Sequence, residues 1–369
     1  MAEKTKKLHE PLVHITKRES MVWWKAWLVR VASIVVAMIV CALLIVCLTG
    51  YNPLEVYREM FKGSFGSIRK IWITIQNVSM LLCIALAVTP AFKMKYWNLG
   101  AEGQVLIGGL ASAACMIYIG DSLPTPLMML VMLVTSILCG LIWAIVPAVC
   151  KAKWGTNESL FTLMMNYVAI QLVSYFITLW ENPKGSASVG VINPNNQGGW
   201  IPTLFGQKYL VNIIIVALLT IIMFIYLRYS KHGYEISVVG ESTNTARYVG
   251  INVKKTIIRT VALSGAICGI AGMLLVSGTD HTISTNTAGG QGFTAIVVSW
   301  LAKFNPFIMM LTSFLIVFLQ RGAGEIATTF RLNESMADIL TGIILFFIIG
   351  CEFFVNYRLN FRSSKKEAE

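Results

Sequence analysis

Ten apolar runs separated by short polar turns make up most of this chain. Taking about 20 apolar residues per crossing of a bilayer core, they fall at roughly 28–49, 71–91, 103–120, 126–149, 159–180, 209–229, 257–278, 292–303, 306–320 and 336–356. The pattern predicts an all-α polytopic membrane protein of about ten transmembrane helices. The pair at 292–303 and 306–320 is short and flanks Lys303–Pro306. A re-entrant hairpin or a broken helix suits that pair as well as two spans do. The run 28–49 is too long for a signal-peptide core and has no small-residue cleavage site near its end, so it reads as a retained first span.

Composition narrows the class. Of 369 residues, 56% are hydrophobic and 13% charged, where a soluble domain has about 25% charged; the mean hydropathy is +0.68. The net charge of +12 does not point to nucleic acid, because its distribution is topological. Basic residues gather at the N-terminus (Lys4, Lys6, Lys7, Lys17, Arg18), in turns (Lys93, Lys95, Lys151, Lys153) and at the C-terminus (Arg358, Arg362, Lys365, Lys366). Retained positive charge marks the cytosolic side. It places both termini, the turns at 93–95 and 151–155 and the segment 231–256 inside, and the Asn-, Pro- and Gly-rich loop 181–208 outside. An even number of spans satisfies all of these placements. The eight cysteines lie in or at the ends of apolar runs with no CxxC pair, and read as small packing residues.

Two internal echoes organise the spans. NLGAEGQ (98–104) before the third run is echoed by TAGGQGF (287–293) before the eighth. TNESLFTLMMNY (156–167) opening the fifth is echoed by LNESMADILTGI (332–343) opening the tenth. Matched spans are five apart, an odd number, so the halves at about 71–180 and 257–356 face opposite ways across the membrane. That is an inverted-topology repeat with broken or re-entrant helices, and glycine-rich breaks at matching places point to a transport pathway. Asn98, Glu102 and Gln104 in the first break, Gln291 and Phe293 in the second, and Asn166 one turn into the fifth span are the candidate path residues. Hydrogen bonding between helices is the alternative role for each. Asp280 and His281 read as a solvated outer loop, and Glu325, Asp338 and Glu352 as interfacial residues near span ends.

Between the halves lies 231–256, the longest polar interruption carrying mixed charge. Inside it, ESTNTARYVG reads as a short helix. Ser242, Thr243 or Asn244 would cap its start, and Gly250 would end it in the left-handed conformation. Lys231, His232, Arg247, Lys254, Lys255 and Arg259 surround it with positive charge. A short capped helix between spans on the cytosolic side is a docking surface for a soluble partner; an ordinary solvated loop is the other reading.

Catalytic and metal chemistry finds no support. There is no GxxxxGK[ST] phosphate loop, no HExxH, no GxSxG and no cluster with metal-ligand spacing. None of the four histidines lies inside a span, and few charges lie mid-membrane, which weighs against a carrier coupled to protons or ions. The chain reads as a non-enzyme without cofactor, drawing any energy for transport from elsewhere.

Four motifs in order, NLGAEGQVLIGG, TNESLFTLMMNYVA, HGYEISVVGESTNTARYVGINVKKT with LSGAICGIAGMLL, and GGQGFTAIVVSWLAKFNP, resemble the permease subunits of bacterial ABC importers for branched-chain amino acids, simple sugars and nucleosides. The resemblance runs from about residue 70 to 350, and the NLGAEGQ and NYVA forms are most similar to nucleoside-type permeases. It implies a transmembrane permease domain at 28–357, between a basic tail at 1–27 and another at 358–369, in the bacterial plasma membrane. It further implies a cytosolic ATPase, an extracellular or lipoprotein binding protein, a second permease chain, and a nucleoside or sugar as solute. The segment 231–256 would be the coupling element, with Gly240, Glu241, Asn244, Ala246, Arg247, Gly250 and Ile251 matching the family pattern. The stretch Gly240-Glu-Ser-Thr-Asn leaves the register of that Asn open. Ser299-Trp300 stands where smaller residues are commoner, which bears on the width of the pathway. An ion-coupled secondary carrier of polar solutes is the rival class.

Overall fold

A computed structural model describes residues 13–18, 21–331 and 334–361. The basic residues Lys4, Lys6, Lys7, Arg362, Lys365 and Lys366, and the Leu332–Asn333 pair that opens the second echo, lie outside them. Among the described residues, thirteen α-helices follow in order: α1 (Trp23–Thr49), α2 (Pro53–Phe65), α3 (Ile68–Lys93), α4 (Ala101–Ile119), α5 (Thr125–Trp154), α6 (Glu158–Trp180), α7 (Leu210–Tyr229), α8 (Lys231–Glu241), α9 (Thr243–Tyr248), α10 (Val253–Leu275), α11 (Gln291–Leu301), α12 (Pro306–Thr329) and α13 (Glu334–Asn356). Every one of the ten apolar runs is helical. Among the described residues, eight helices are long and apolar enough to cross a bilayer.

At 292–320 the sequence expectation needs correction. Only the first piece is short: α11 has 11 residues, about 16 Å at 1.5 Å per residue, roughly half of a hydrocarbon core. The second, α12, runs for 24 residues because its apolar pattern continues past a polar Gln320–Arg321 step. Lys303 and Phe304 join the two in the left-handed region, at φ of 50° and 62°.

Contacts divide the chain into two compact units, one of Ser64–Phe318 and one of the residues up to Gly63 with those from Leu319 on. In the second unit α1 packs on α13, and Arg30 pairs with Glu352 at 2.6 Å. Glu352, read as interfacial, is ion-paired here. Two strands also occur where only tails were expected. β1 (Val13–Lys17) pairs antiparallel with β2 (Tyr357–Phe361), Val13 opposite Phe361 and Lys17 opposite Tyr357. Apolar residues alternate in both segments with the period of a strand.

The first unit is built round α10, which packs on α3, α4 and α5. What lets it sit centrally is a stripe of Gly265, Gly269 and Gly272. A Cβ on Gly269 would strike the Ser136 carbonyl of α5, and one on Gly272 the Val105 carbonyl of α4. Without a hydrophobic drive between helices in lipid, such close backbone approach supplies the packing. Where α10 ends, a π turn (Val276–Asp280) leads into His281 at φ 53°.

The loop 181–208 is a folded cap on this end of the unit. Its Ile192 N–H donates to the His281 carbonyl at 2.8 Å, and Ile201 N–H to the Ser277 carbonyl at 3.1 Å. Asn193 Nδ2 donates to the Met116 carbonyl at 2.7 Å. His281 is accordingly buried, not solvated, and stacks on Trp200 with ring centroids 3.8 Å apart. Burial and the nearby Lys208 push its imidazole down to a pKa of about 4.

Candidate functional site

The two glycine breaks, almost 200 residues apart in sequence, meet. α3 stops at Lys93, and the chain turns through Lys95, at φ 58°, into an irregular stretch that ends where α4 begins at Ala101. Irregular backbone in an apolar bundle needs partners for its N–H and C=O groups. α6 supplies them from one face: Asn166 Oδ1 accepts from Gly103 N–H at 2.8 Å, its Nδ2 donates to the Leu99 carbonyl at 2.8 Å, and Thr162 Oγ1 accepts from Leu99 N–H at 3.1 Å. The missing side chain of Gly103 permits this approach, since a Cβ there would lie 2.9 Å from Asn166 Oδ1. Within the break, Asn98 Oδ1 accepts from Gly100 N–H and from Gln104 Nε2, at 3.1 and 3.2 Å, and Asn98 Nδ2 reaches Ser264 Oγ of α10 at 3.1 Å.

Glu102 makes the junction. Its Oε1 accepts from Gly290 N–H and its Oε2 from Gly292 N–H, both at 2.8 Å. The carboxylate thereby caps the N-terminus of α11, where free N–H groups and the helix dipole favour an anion. At its other end α11 is held to α3 and to the first break: Trp300 stacks on Trp97 with centroids 5.8 Å apart, Phe92 meets both edge-on, and Ser299 Oγ lies 2.9 Å from Thr89 Oγ1.

Of the six candidate path residues, Asn98, Glu102, Gln104 and Asn166 are thus buried at the first break, Asn98 bonded to Gln104, Asn166 to the break's backbone and Glu102 to the second break. Gln291 stands apart from them with a buried Oε1 that has no partner, and Phe293 is half exposed on α11. Sequence reasoning missed Thr162, Ser264 and the Trp97–Trp300 stack. Thr162 was findable, one helical turn before Asn166 on the same face; Ser264 carried no signal.

The segment 231–256 differs from a loop bearing one short helix. Its first part is itself helical, α8, capped by Ser230 Oγ, which accepts from Gly233 N–H at 2.9 Å. A break at Ser242 separates α8 from α9. Of the three possible caps the structure uses Ser242, whose Oγ accepts from Thr245 N–H at 3.2 Å. Gly250 ends α9 with φ 83°, and Ile251 N–H donates back to the Ala246 carbonyl at 2.9 Å. Gly240 is buried where a Cβ would strike the Lys93 carbonyl at the end of α3. Ala246 is fully buried, while Glu241, Asn244 and Arg247 are exposed and Tyr248 is 93% exposed. A groove of about 440 Å³ runs between the α8–α9 break and the α3 end, lined by Lys95, Tyr96, Lys151, Glu158 and residues 239–243 among others.

His232 fastens α8. It is buried, with Nδ1 2.6 Å from Tyr226 Oη and Nε2 3.2 Å from Thr260 Oγ1. Burial, then the charge of Arg259, lower its pKa below 6.5, against the opposing pull of Glu235 and of the Thr256 backbone. A depressed folded pKa means that the unfolded chain binds the proton more readily. The contribution of this histidine is therefore fully present above pH 6.5 and is lost as pH falls through the lower folded value. Thermal melting of the purified protein between pH 8 and pH 5 should show this loss, and His232→Gln should flatten it.

Comparison with known proteins gives the family. The model for the branched-chain amino acid transport system / permease component family matches residues 71–349, well over half of the chain. The nucleoside ABC transporter permease protein NupB of Lactococcus lactis is 27% identical over 81% of this chain and 84% of its own. The guanosine ABC transporter permease protein NupP of Bacillus subtilis is 28% identical over 83% and 88%. The glucose ABC transporter permease protein TsgB13 of Haloferax volcanii is 24% identical over 94% and 93%. With its family match spanning both glycine breaks and the α8–α9 segment between them, the chain belongs to the branched-chain amino acid transport system / permease component family of membrane transport proteins.

Proposed function

We propose that this chain is the membrane permease subunit of an ATP-driven importer and that its solute is a nucleoside. The observation that carries the reading is the meeting of the two glycine breaks through Glu102, in a family member whose relatives include permeases named for nucleosides and guanosine. Unwound backbone at matching places of two inverted repeats is suited to a pathway between them. The 181–208 cap faces outside, where a binding protein delivers solute. The α8–α9 segment and both termini face the cytosol, and a second permease chain completes the path.

In this reading α9 docks on a cytosolic ATPase. ATP-driven closure of that partner pushes α9, and α8 passes the motion on at two places. Gly240 presses on the end of α3, next to the first break. His232 and Glu235 hold α8 to Thr260 and Thr256 of α10. A nucleoside carries no net charge at neutral pH, which suits a path lined by amides and aromatics. Asn98, Glu102, Gln104 and Asn166 shape the breaks, whereas Gln291, with its unpartnered oxygen, and half-exposed Phe293 meet the solute.

Uptake of radiolabelled guanosine, adenosine, uridine and ribose in cells with and without the gene tests this. Each is repeated after ATP depletion and after collapse of the proton gradient. Nucleoside uptake that needs the gene and ATP supports the proposal. Ribose uptake alone, in line with the glucose permease relative, keeps the architecture and moves the solute to a sugar. Uptake that follows the gradient overturns the coupling role of α8–α9 and favours a secondary carrier.

A further inference from the structure

We propose that Glu102 is a positioning residue for transport: by holding the N-terminus of α11, its carboxylate makes α11 and the α3–α4 break one moving unit. This rests on the importer reading, yet its physical core concerns the chain alone. Glu102 is 9% exposed and both of its oxygens are committed at 2.8 Å to backbone N–H groups of the other half of the chain. No ion pair with Lys or Arg is formed by it among the described residues. Its charge is met by the positive end of an 11-residue helix. Charge-assisted bonds of this kind are roughly twice as strong as neutral ones, and losing them would leave buried N–H groups unpaired.

The far end of α11 is fastened independently, through Trp300 on Trp97 and Ser299 on Thr89. α11 is too short to span the core, so these two attachments decide where it sits. It carries Gln291 and Phe293, the residues that meet the solute. A rocking motion that separated the breaks would break both attachments, whereas one that carries α11 together with the α3–α4 break preserves them.

Three variants in the assembled transporter test the proposal. Glu102→Gln offers one acceptor and presents an NH₂ to the second N–H. Glu102→Asp keeps both acceptors. Gly292→Ala puts a Cβ 2.6 Å from the Glu102 backbone nitrogen. Glu102→Gln should lower the maximal uptake rate at least about tenfold with KM little changed, and Glu102→Asp should recover much of it. Glu102→Gln with Gly292→Ala should lose no more than either alone, because both remove one junction. In nanodiscs, amide exchange of peptides covering residues 284–296 should quicken by about tenfold in Glu102→Gln, with α5 and α10 unchanged.

Additive losses, wild-type exchange in Glu102→Gln, or faster exchange throughout the bundle would each overturn the positioning role. The exchange measurement needs no solute. Absence of nucleoside uptake by the wild type would therefore refute the substrate reading without touching this one.

Discussion

Replacing Arg247 by Glu should abolish uptake while the protein remains in the membrane at normal level. α9 is held by buried Ala246, by the Ser242 cap and by the left-handed turn at Gly250. The Arg247 side chain is exposed and contributes to none of these; its carbonyl, which accepts from Gly250 N–H at 3.0 Å, is kept by the substitution. An acid in the last turn of α9 opposes the helix dipole at a cost of about 0.3–1 kcal/mol, so the fold should survive. Docking should not. Lys231, Lys254, Lys255 and Arg259 surround α9 with positive charge, which would suit an acidic groove on the ATPase that the importer proposal calls for. Reversing a central charge there sets like against like at a cost of several kcal/mol, and each 1.4 kcal/mol is about tenfold in affinity. Uptake, membrane abundance and co-purification of the ATPase would be measured together. Near-normal uptake by the variant would remove Arg247 from the coupling surface.

The largest effect on stability should come from Gly269→Val. Gly269 faces the Ser136 carbonyl of α5, and its own Cα and carbonyl lie against Gly108 of α4. A new side chain at this point meets the α5 backbone at Ser136 and Ile137, and backbone has no rotamer with which to move aside. Overpacking a core costs about 1–3 kcal/mol when side chains can shift; here the helices themselves must part, so at least about 3 kcal/mol is expected. The variant should yield little monodisperse protein in detergent, and Gly269→Ala a lowered melting temperature. Gly342→Ala is the control, because nothing lies within 4 Å of a Cβ at that position. Equal melting of Gly269→Val and wild type would mean that α10 is not packed as described.

Much of this molecule is legible in one dimension. In a bilayer every backbone group must be satisfied within the chain, so long apolar runs have little choice but to be helical, and all ten are. Caps and glycine stops are local as well, hence the short helix at 243–248 and its end at Gly250 could be read directly. The two short echoes drew attention to Asn98, Glu102, Gln104 and Asn166, all of which are buried at or beside the first break.

What those residues do was not legible. Glu102 read equally as a path residue or as a bond between helices; its partners are two backbone N–H groups 188 and 190 residues away, and no local pattern reports such a distance. The burial of His281 depends likewise on Trp200 folding over it from a loop that reads as solvated. α8 was hidden because Gly233 and Gly240 are poor helix formers, and tertiary contact on α3 and α10 overrides that preference. Gly269 in the sequence is only a glycine; that it is the point where three helices touch is decided by packing. Sequence by itself determined where the long apolar helices lie, because the solvent acts on each segment separately. The tertiary structure alone decided which polar groups are spent on one another, because hydrogen-bond partners are chosen by proximity in space.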